Sequence, residues 1–322
     1  MIEYFFDEVE SCEQIGEFKD EYVYDLEIDD PTHTFIADDI LVHNSLYVSF
    51  DEVLKTIKEQ PNNIIEFIKD VSNLRLAPYF DKIHTTYAHK WNTENIQHFD
   101  MEAISKSGIY LAKKKYVTDV VWKEGGEKGI YFNSGEKISP KGVELAQSSV
   151  PIFARNIIKR FLKILFEEGN DIKIDELTLM LKKAKEEFKL QNIEDVSFLK
   201  GISDYDKYVL NDRSGIQLEK KCPIHIRAAA LHNFLINSNK DLKNRYDLLG
   251  SGHKIRFYYI KNPSKDMTVF AFTPGEYPIE IAPQYDYDKM FQKLILDPIN
   301  RFLVAMNKTE IPKNLVYMKQ LF

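Results

Sequence analysis

The chain has 322 residues, room for about two domains at ~100–200 residues each, and its 44% hydrophobic and 13% aromatic content suffices for packed cores. No apolar run reaches the ~18–20 residues of a membrane span, the acidic start MIEYFFDEVE lacks the basic region of a signal peptide, and Cys12 and Cys222 give neither a disulfide framework nor zinc-ligand spacing. The net charge of −7 hides an asymmetry: residues 1–44 hold 14 acidic residues and one basic residue, Lys19, whereas the remainder holds 42 basic against 36 acidic, which predicts two pieces with different partners, one repelled by nucleic acid and one suited to it.

In chain order, residues 1–44 read as short strands at 2–6, 22–28, 34–36 and 40–42 separated by Asp, Pro and Gly punctuation. A further strand is expected over 45–50 and a helix over 51–59, ended by Pro61. Residues 62–90 carry apolar residues at helical spacing. Strands are expected over 97–104 and 108–122, with a hairpin turn at Gly125–Gly126 returning along 128–132. Helices follow over 151–168 with Pro in the first turn, over 175–190, and over 224–237. Strands at 254–260 and 268–273 precede a last helix over 286–306, kinked or broken near Pro298. The expected class is α+β, in blocks 1–44, 45–145 and 146–322.

The stretch 22–45 reads YVYDLEIDDPTHTFIADDILVHNS. It places Asp25, His33, His43, Asn44 and Ser45 in one order, within a β-rich run. Each residue type has a chemical use. A serine hydroxyl can take up an upstream acyl group as an ester. An asparagine side-chain amide can attack its own backbone carbonyl and cut the chain after itself. A histidine beside that bond can donate to it, and a second imidazole titrates near neutrality. The set resembles the C-terminal end of an intein. The resemblance implies that Asn44 cyclises, that Ser45 is the downstream nucleophile, that His43 and His33 assist, and that Asp25 orients or tunes them. Met1 stands only 43 residues before Asn44, so the expectation is the C-terminal half of a split intein, whose −13 charge calls for a basic partner half.

The residues after Asn44 carry a second resemblance. SLYVSF, at 45–50, is similar to the Ser and apolar strand that follow Tyr-Gly-Asp-Thr-Asp in family B DNA polymerases; no Asp-Thr-Asp occurs in this chain. FDMEAISKSGIYLAKKKYV, at 99–117, resembles the palm stretch of phage replicases of the myovirus type. Asp100 and Glu102 match an acidic pair near the metals, and Lys113, Lys114 and Tyr116 match the Lys-Lys-x-Tyr grip on primer–template duplex. PKGVELAQSSVP, at 140–151, resembles the palm-to-thumb junction through Lys141, Gly142, Glu144, Ser148 and Ser149. GISDYDKY and CPIHIRAAALHNFL resemble thumb segments, with Arg227 and His225 as DNA-facing residues. NLVYMKQLF, at 314–322, resembles a clamp-docking peptide anchored by Leu315, Met318, Leu321 and Phe322.

The resemblances imply residues 1–44 as an intein fragment of Hint-type fold, 45–145 as the remainder of a polymerase palm, and 146–322 as a mainly helical thumb. They imply trans-splicing to an N-terminal polymerase fragment carrying the intein N-half. Polymerisation of dNTPs on primer–template DNA would follow, with two Mg²⁺ held mainly by that partner. They further imply a sliding clamp as partner, no membrane, and the cytoplasm of an infected bacterial host. The fragment lacks the exonuclease domain, fingers and metal-ligand aspartates, so alone it should not polymerise. A splicing-incompetent or non-covalently complementing DNA- and clamp-binding subunit is the competing expectation.

Overall fold

The computed structural model of the chain describes the backbone of residues 35–37 and 40–42, and residues 48–57, 61–90, 92–95, 100–126, 128–264 and 267–316. The fold is mixed α and β with small antiparallel sheets. It divides into two compact units, Met1–Ile104 and Ser105–Phe322. Among the described residues no helix is long and apolar enough to cross a membrane.

In the first unit β1 (Phe35–Ala37) pairs antiparallel with β2 (Ile40–Val42), Phe35 opposite Val42 and Ala37 opposite Ile40. The strand expected over 45–50 is not seen over its described part, Val48 to Phe50. The Phe50 carbonyl instead accepts from Leu54 N at 2.8 Å and opens α1 (Asp51–Thr56). Asp51 and Glu52 lie in its first turn, where acidic side chains complement the helix dipole. After Pro61, Asn63 caps α2 (Ile64–Val71), its Oδ1 accepting from Ile65 N and Glu66 N at 3.1 and 3.3 Å. A π turn at Ser72–Leu76 joins α2 to α3 (Ala77–Lys90), giving the long helix that the apolar spacing predicts.

β3 (Ala103–Ala112) and β4 (Lys115–Lys123) follow. The single strand expected over 108–122 is thus two strands, turned back at Lys113–Lys114. No Gly, Asn or Pro marks this turn; Lys114 itself takes the left-handed conformation, φ +61°. β5 (Ile130–Tyr131) returns against Trp122 and Lys123 past Gly125–Gly126. β6 (Lys137–Lys141) pairs antiparallel with β4 from Tyr116↔Lys141 to Val120↔Lys137.

The helical part begins with α4 (Ile152–Glu168) and α5 (Ile174–Lys189). β7 (Phe198–Gly201), α6 (Tyr205–Tyr208), β8 (Val209–Asn211), β9 (Gln217–Leu218), α7 (Ile224–Asn237) and α8 (Lys240–Lys243) come next. β10 (Lys254–Tyr259) lies between β7 and β11 (Val269–Phe272) in a three-stranded sheet. α9 (Tyr287–Phe291), a π turn at Gln292–Leu296 and α10 (Asp297–Ala305) run on as one helical segment. The break expected near Pro298 is therefore an adjustment and not a stop.

One hydrophobic cluster gathers Ile109, Val117 and Ile138 of the sheet with Ile158, Phe161 and Leu165 of α4, Phe188 of α5, and Phe291 and Phe302 of the last helical segment. It runs across residues 145 and 146 without a gap in packing. At ~1.5–3 kcal/mol per buried large apolar side chain, such a cluster is the main favourable term of this unit. A second cluster sets Ile226, Ala229 and Ala230 of α7 against Ile255, Val269 and Ala271 of the sheet. The run of alanines lets α7 lie close to β11.

Candidate nucleic-acid interface

The β4–β6 pairing brings together two stretches some 25 residues apart in sequence. Lys113 and Lys114 form the tip of the β3–β4 hairpin, and Lys115 begins β4. Tyr116, one residue on, is paired with Lys141 at the end of β6. All four lysines are exposed. The contact is tight because residue 142 is glycine. Gly142 has φ +62°, and a Cβ there would stand 2.0 Å from the Lys114 carbonyl oxygen. No other residue type fits beneath that turn.

Tyr116 is 7% exposed, and its ring lies 5.4 Å from that of Tyr110 at 31°. Tyr110, on β3, is 55% exposed. Between these two it is Tyr110 that offers an open aromatic surface, a residue that motif matching does not single out.

Behind the hairpin, Asp119 of β4 is fully buried. Its carboxylate accepts from Ser134 Oγ at 2.6 Å and Gly135 N at 2.7 Å, and Lys106 Nζ donates to Ser134 Oγ at 3.2 Å. A buried carboxylate needs such donors, and here they hold the turn before β6 against β4.

Past Gly142 the chain folds into a short 3₁₀ turn, Glu144–Ala146. Gln147 Nε2 reaches back to the Gly142 carbonyl at 3.4 Å, and Glu144 is ion-paired with Arg301 of α10. Ser148 is exposed and Ser149 half-buried, the Ser149 carbonyl accepting from Leu199 N of β7 at 2.9 Å. Both serines thus sit on a loop tied at each end.

Other residues named from sequence stand elsewhere. Arg227 is in the first turn of α7, which packs on β11, and its Nε donates to the Cys222 carbonyl at 2.9 Å. His225 has its ring 6.5 Å from that of Phe257; burial, and then the Lys200 charge, push its imidazole below the usual value, so it is a weak source of positive charge. Asp100 and Glu102 are exposed and immediately precede β3, within the first unit. Leu315 is 2% exposed and belongs to the main hydrophobic cluster. Met318, Leu321 and Phe322 lie outside the described residues, as do Asp25, His33, His43, Asn44 and Ser45. β2 ends at Val42, directly before His43. Among the described residues no group of three or more His, Cys, Asp or Glu could hold a metal ion.

A cleft of about 420 Å³ opens beside this cluster. Its walls are Ile138 and Pro140 of β6, Leu145 and Ile152, and its polar groups are Arg155, Asn156 and Lys159 of α4. The sequence held a signal for it: between Lys137 and Phe166 stand six basic residues and one acidic residue, Glu144. The arrangement as a whole is a sheet edge and a helix face carrying positive charge, an exposed aromatic ring and loop hydroxyls. Such a surface can neutralise a phosphate backbone and pack against sugars or bases without reading sequence.

No protein-family model matches the chain, and no curated protein matches it.

Proposed function

We propose that the chain is the C-terminal part of a family B replicative DNA polymerase, carried behind the C-terminal half of a split intein and joined to its N-terminal fragment by trans-splicing. The observation that supports the polymerase half most is the convergence of Lys113, Lys114 and Tyr116 with Lys141 and Gly142 at one sheet edge. A motif matched to the duplex grip and one matched to the palm-to-thumb junction meet in space, and the glycine of the second is shaped to the turn of the first.

In this reading the intein halves associate first, aided by the −13 charge of residues 1–44. The Ser45 hydroxyl attacks the upstream thioester or ester carbonyl, forming a new ester and releasing the upstream intein nucleophile. The Asn44 side-chain nitrogen then attacks its own carbonyl carbon. The 44–45 peptide bond breaks, leaving a succinimide on the intein and a free amine on Ser45. That amine displaces the ester oxygen on Ser45 and restores a peptide bond. The joined enzyme extends a primer, with this part supplying duplex grip, thumb and clamp contact. In this reading two Mg²⁺ ions would be held mainly by the partner fragment's aspartates, and no step here runs through them.

Co-expression with the complementary fragment tests the reading; the same genome should hold it as a frame that passes through polymerase motifs into an intein start. Intact mass should show a ligated product and loss of 44 residues from this chain. Two full-length chains that polymerise together would replace splicing by non-covalent complementation.

A further inference from the structure

We infer that the cleft between β6 and α4 seats a phosphodiester of the bound nucleic acid, with Arg155 and Lys159 as its ligands. The inference rests on the reading of the hairpin as a duplex grip and extends it to a second, separate contact.

The first observation is chemical. Arg155 and Lys159 stand at i and i+4 on α4, so both side chains share one helix face. Among the described residues neither has an ion-pair partner, and Arg155 Nε is buried without a hydrogen-bond acceptor. Two like charges one turn apart, with a buried donor left unmatched, are unfavourable unless an anion joins them. The second observation is electrostatic. The first acidic side chain before the pair, Glu144, is already committed to Arg301, and the first one after it, Glu167, lies 3.7 Å from Lys163. None of the residues that line the cleft is acidic. The third is position. Pro140 lines the cleft, and the next residue, Lys141, belongs to the hairpin cluster. Successive residues of a strand face opposite ways, so β6 presents cation sites on both of its sides. One nucleic-acid strand crossing this sheet edge meets lysines on one side and the cleft on the other.

Anisotropy of a labelled primer–template duplex, titrated with the full 322-residue chain at several salt concentrations, tests this. Each lost phosphate contact should flatten the slope of log K against log salt by about 0.9. The double variant Arg155→Gln/Lys159→Gln should therefore lose close to two such steps, and Arg155→Lys should keep most of the slope. An unchanged slope in the double variant, alongside a flattened one in Lys113→Gln/Lys114→Gln, overturns the cleft and leaves the hairpin reading standing. Equal loss in Arg155→Lys and in the double variant also overturns it, because packing and not charge would then matter. Should the double variant melt early, Lys159→Gln alone, at an exposed position, must still lose about one step. A wild-type chain without salt-dependent duplex binding sinks both readings.

Discussion

Lys114 occupies a backbone region that costs a non-glycine residue about 1–2 kcal/mol. Lys114→Gly should therefore raise thermal stability by about 1 kcal/mol while weakening duplex binding. Opposite movement of melting temperature and affinity is the signature; loss of both would mean that the side chain is structural. Gly142→Ala should lower both melting temperature and affinity, since a methyl group 2.0 Å from a carbonyl oxygen forces the hairpin off β6. His232 is the residue with a pH consequence. It is 2% exposed, its ring nitrogens lie 3.0 and 3.1 Å from the Ala271 and Asp247 carbonyls, and burial outweighs those carbonyls to push it below the ordinary 6.5. The folded chain thus binds this proton less readily than the unfolded chain. Its contribution is complete above pH 6.5 and is lost as the pH falls below that value. Urea midpoints should fall between about pH 7 and pH 5, and less so in His232→Gln, with a remainder from His84 and His225, which shift the same way.

At the scale of elements, the two long helical segments share a device. Each has a π turn ending two residues before a proline: Ser72–Leu76 before Pro78, and Gln292–Leu296 before Pro298. Proline lacks an N–H and clashes with the carbonyl four residues back. The wider turn, closed by Ala77 N to Ser72 O and by Asp297 N to Gln292 O, moves the ladder so that the helix continues. Proline is legible in sequence as a disturbance; whether the helix stops or widens depends on packing, and Leu294, Ile295 and Leu296 are all buried. The hairpin turn is illegible for a related reason. Lys113–Lys114 has no turn residue, and its conformation is held by β6, which joins from far along the chain. Asp119 is the internal fastener of that arrangement. Asp119→Ala strands the Ser134 and Gly135 donors and should cost about 1–3 kcal/mol in chemical denaturation.

At the scale of the molecule, Leu315, the first anchor of the proposed clamp peptide, belongs to the fold. It is packed in the main cluster, with its N–H bonded to the Pro312 carbonyl at 2.8 Å. Leu315→Ala should destabilise the fold by about 2–5 kcal/mol. Deleting 317–322 should leave the melt unchanged and remove only clamp-dependent processivity from the ligated enzyme. A drop in basal extension after that deletion would place those residues in the fold and not in docking. Asn44→Ala belongs to the same scale: intact mass should show no release of residues 1–44 after mixing with the complementary half, and normal release would reject the assigned role.

The sequence alone determined what depends on neighbours along the chain. The helices at Ile152–Glu168, Ile174–Lys189 and Ile224–Asn237 and the hairpin at Gly125–Gly126 follow from apolar spacing and turn residues, and the charge break at residue 44 is simple counting. The tertiary structure decided what depends on partners distant in sequence. It set the Lys113–Lys114 turn beside Lys141, turned Tyr116 inward and left Tyr110 open, opened the cleft along α4, and buried Leu315. Periodicity reports which face of an element is apolar. Which two faces meet is chosen by long-range packing, and a site built across such a meeting leaves at most its charge as a local trace.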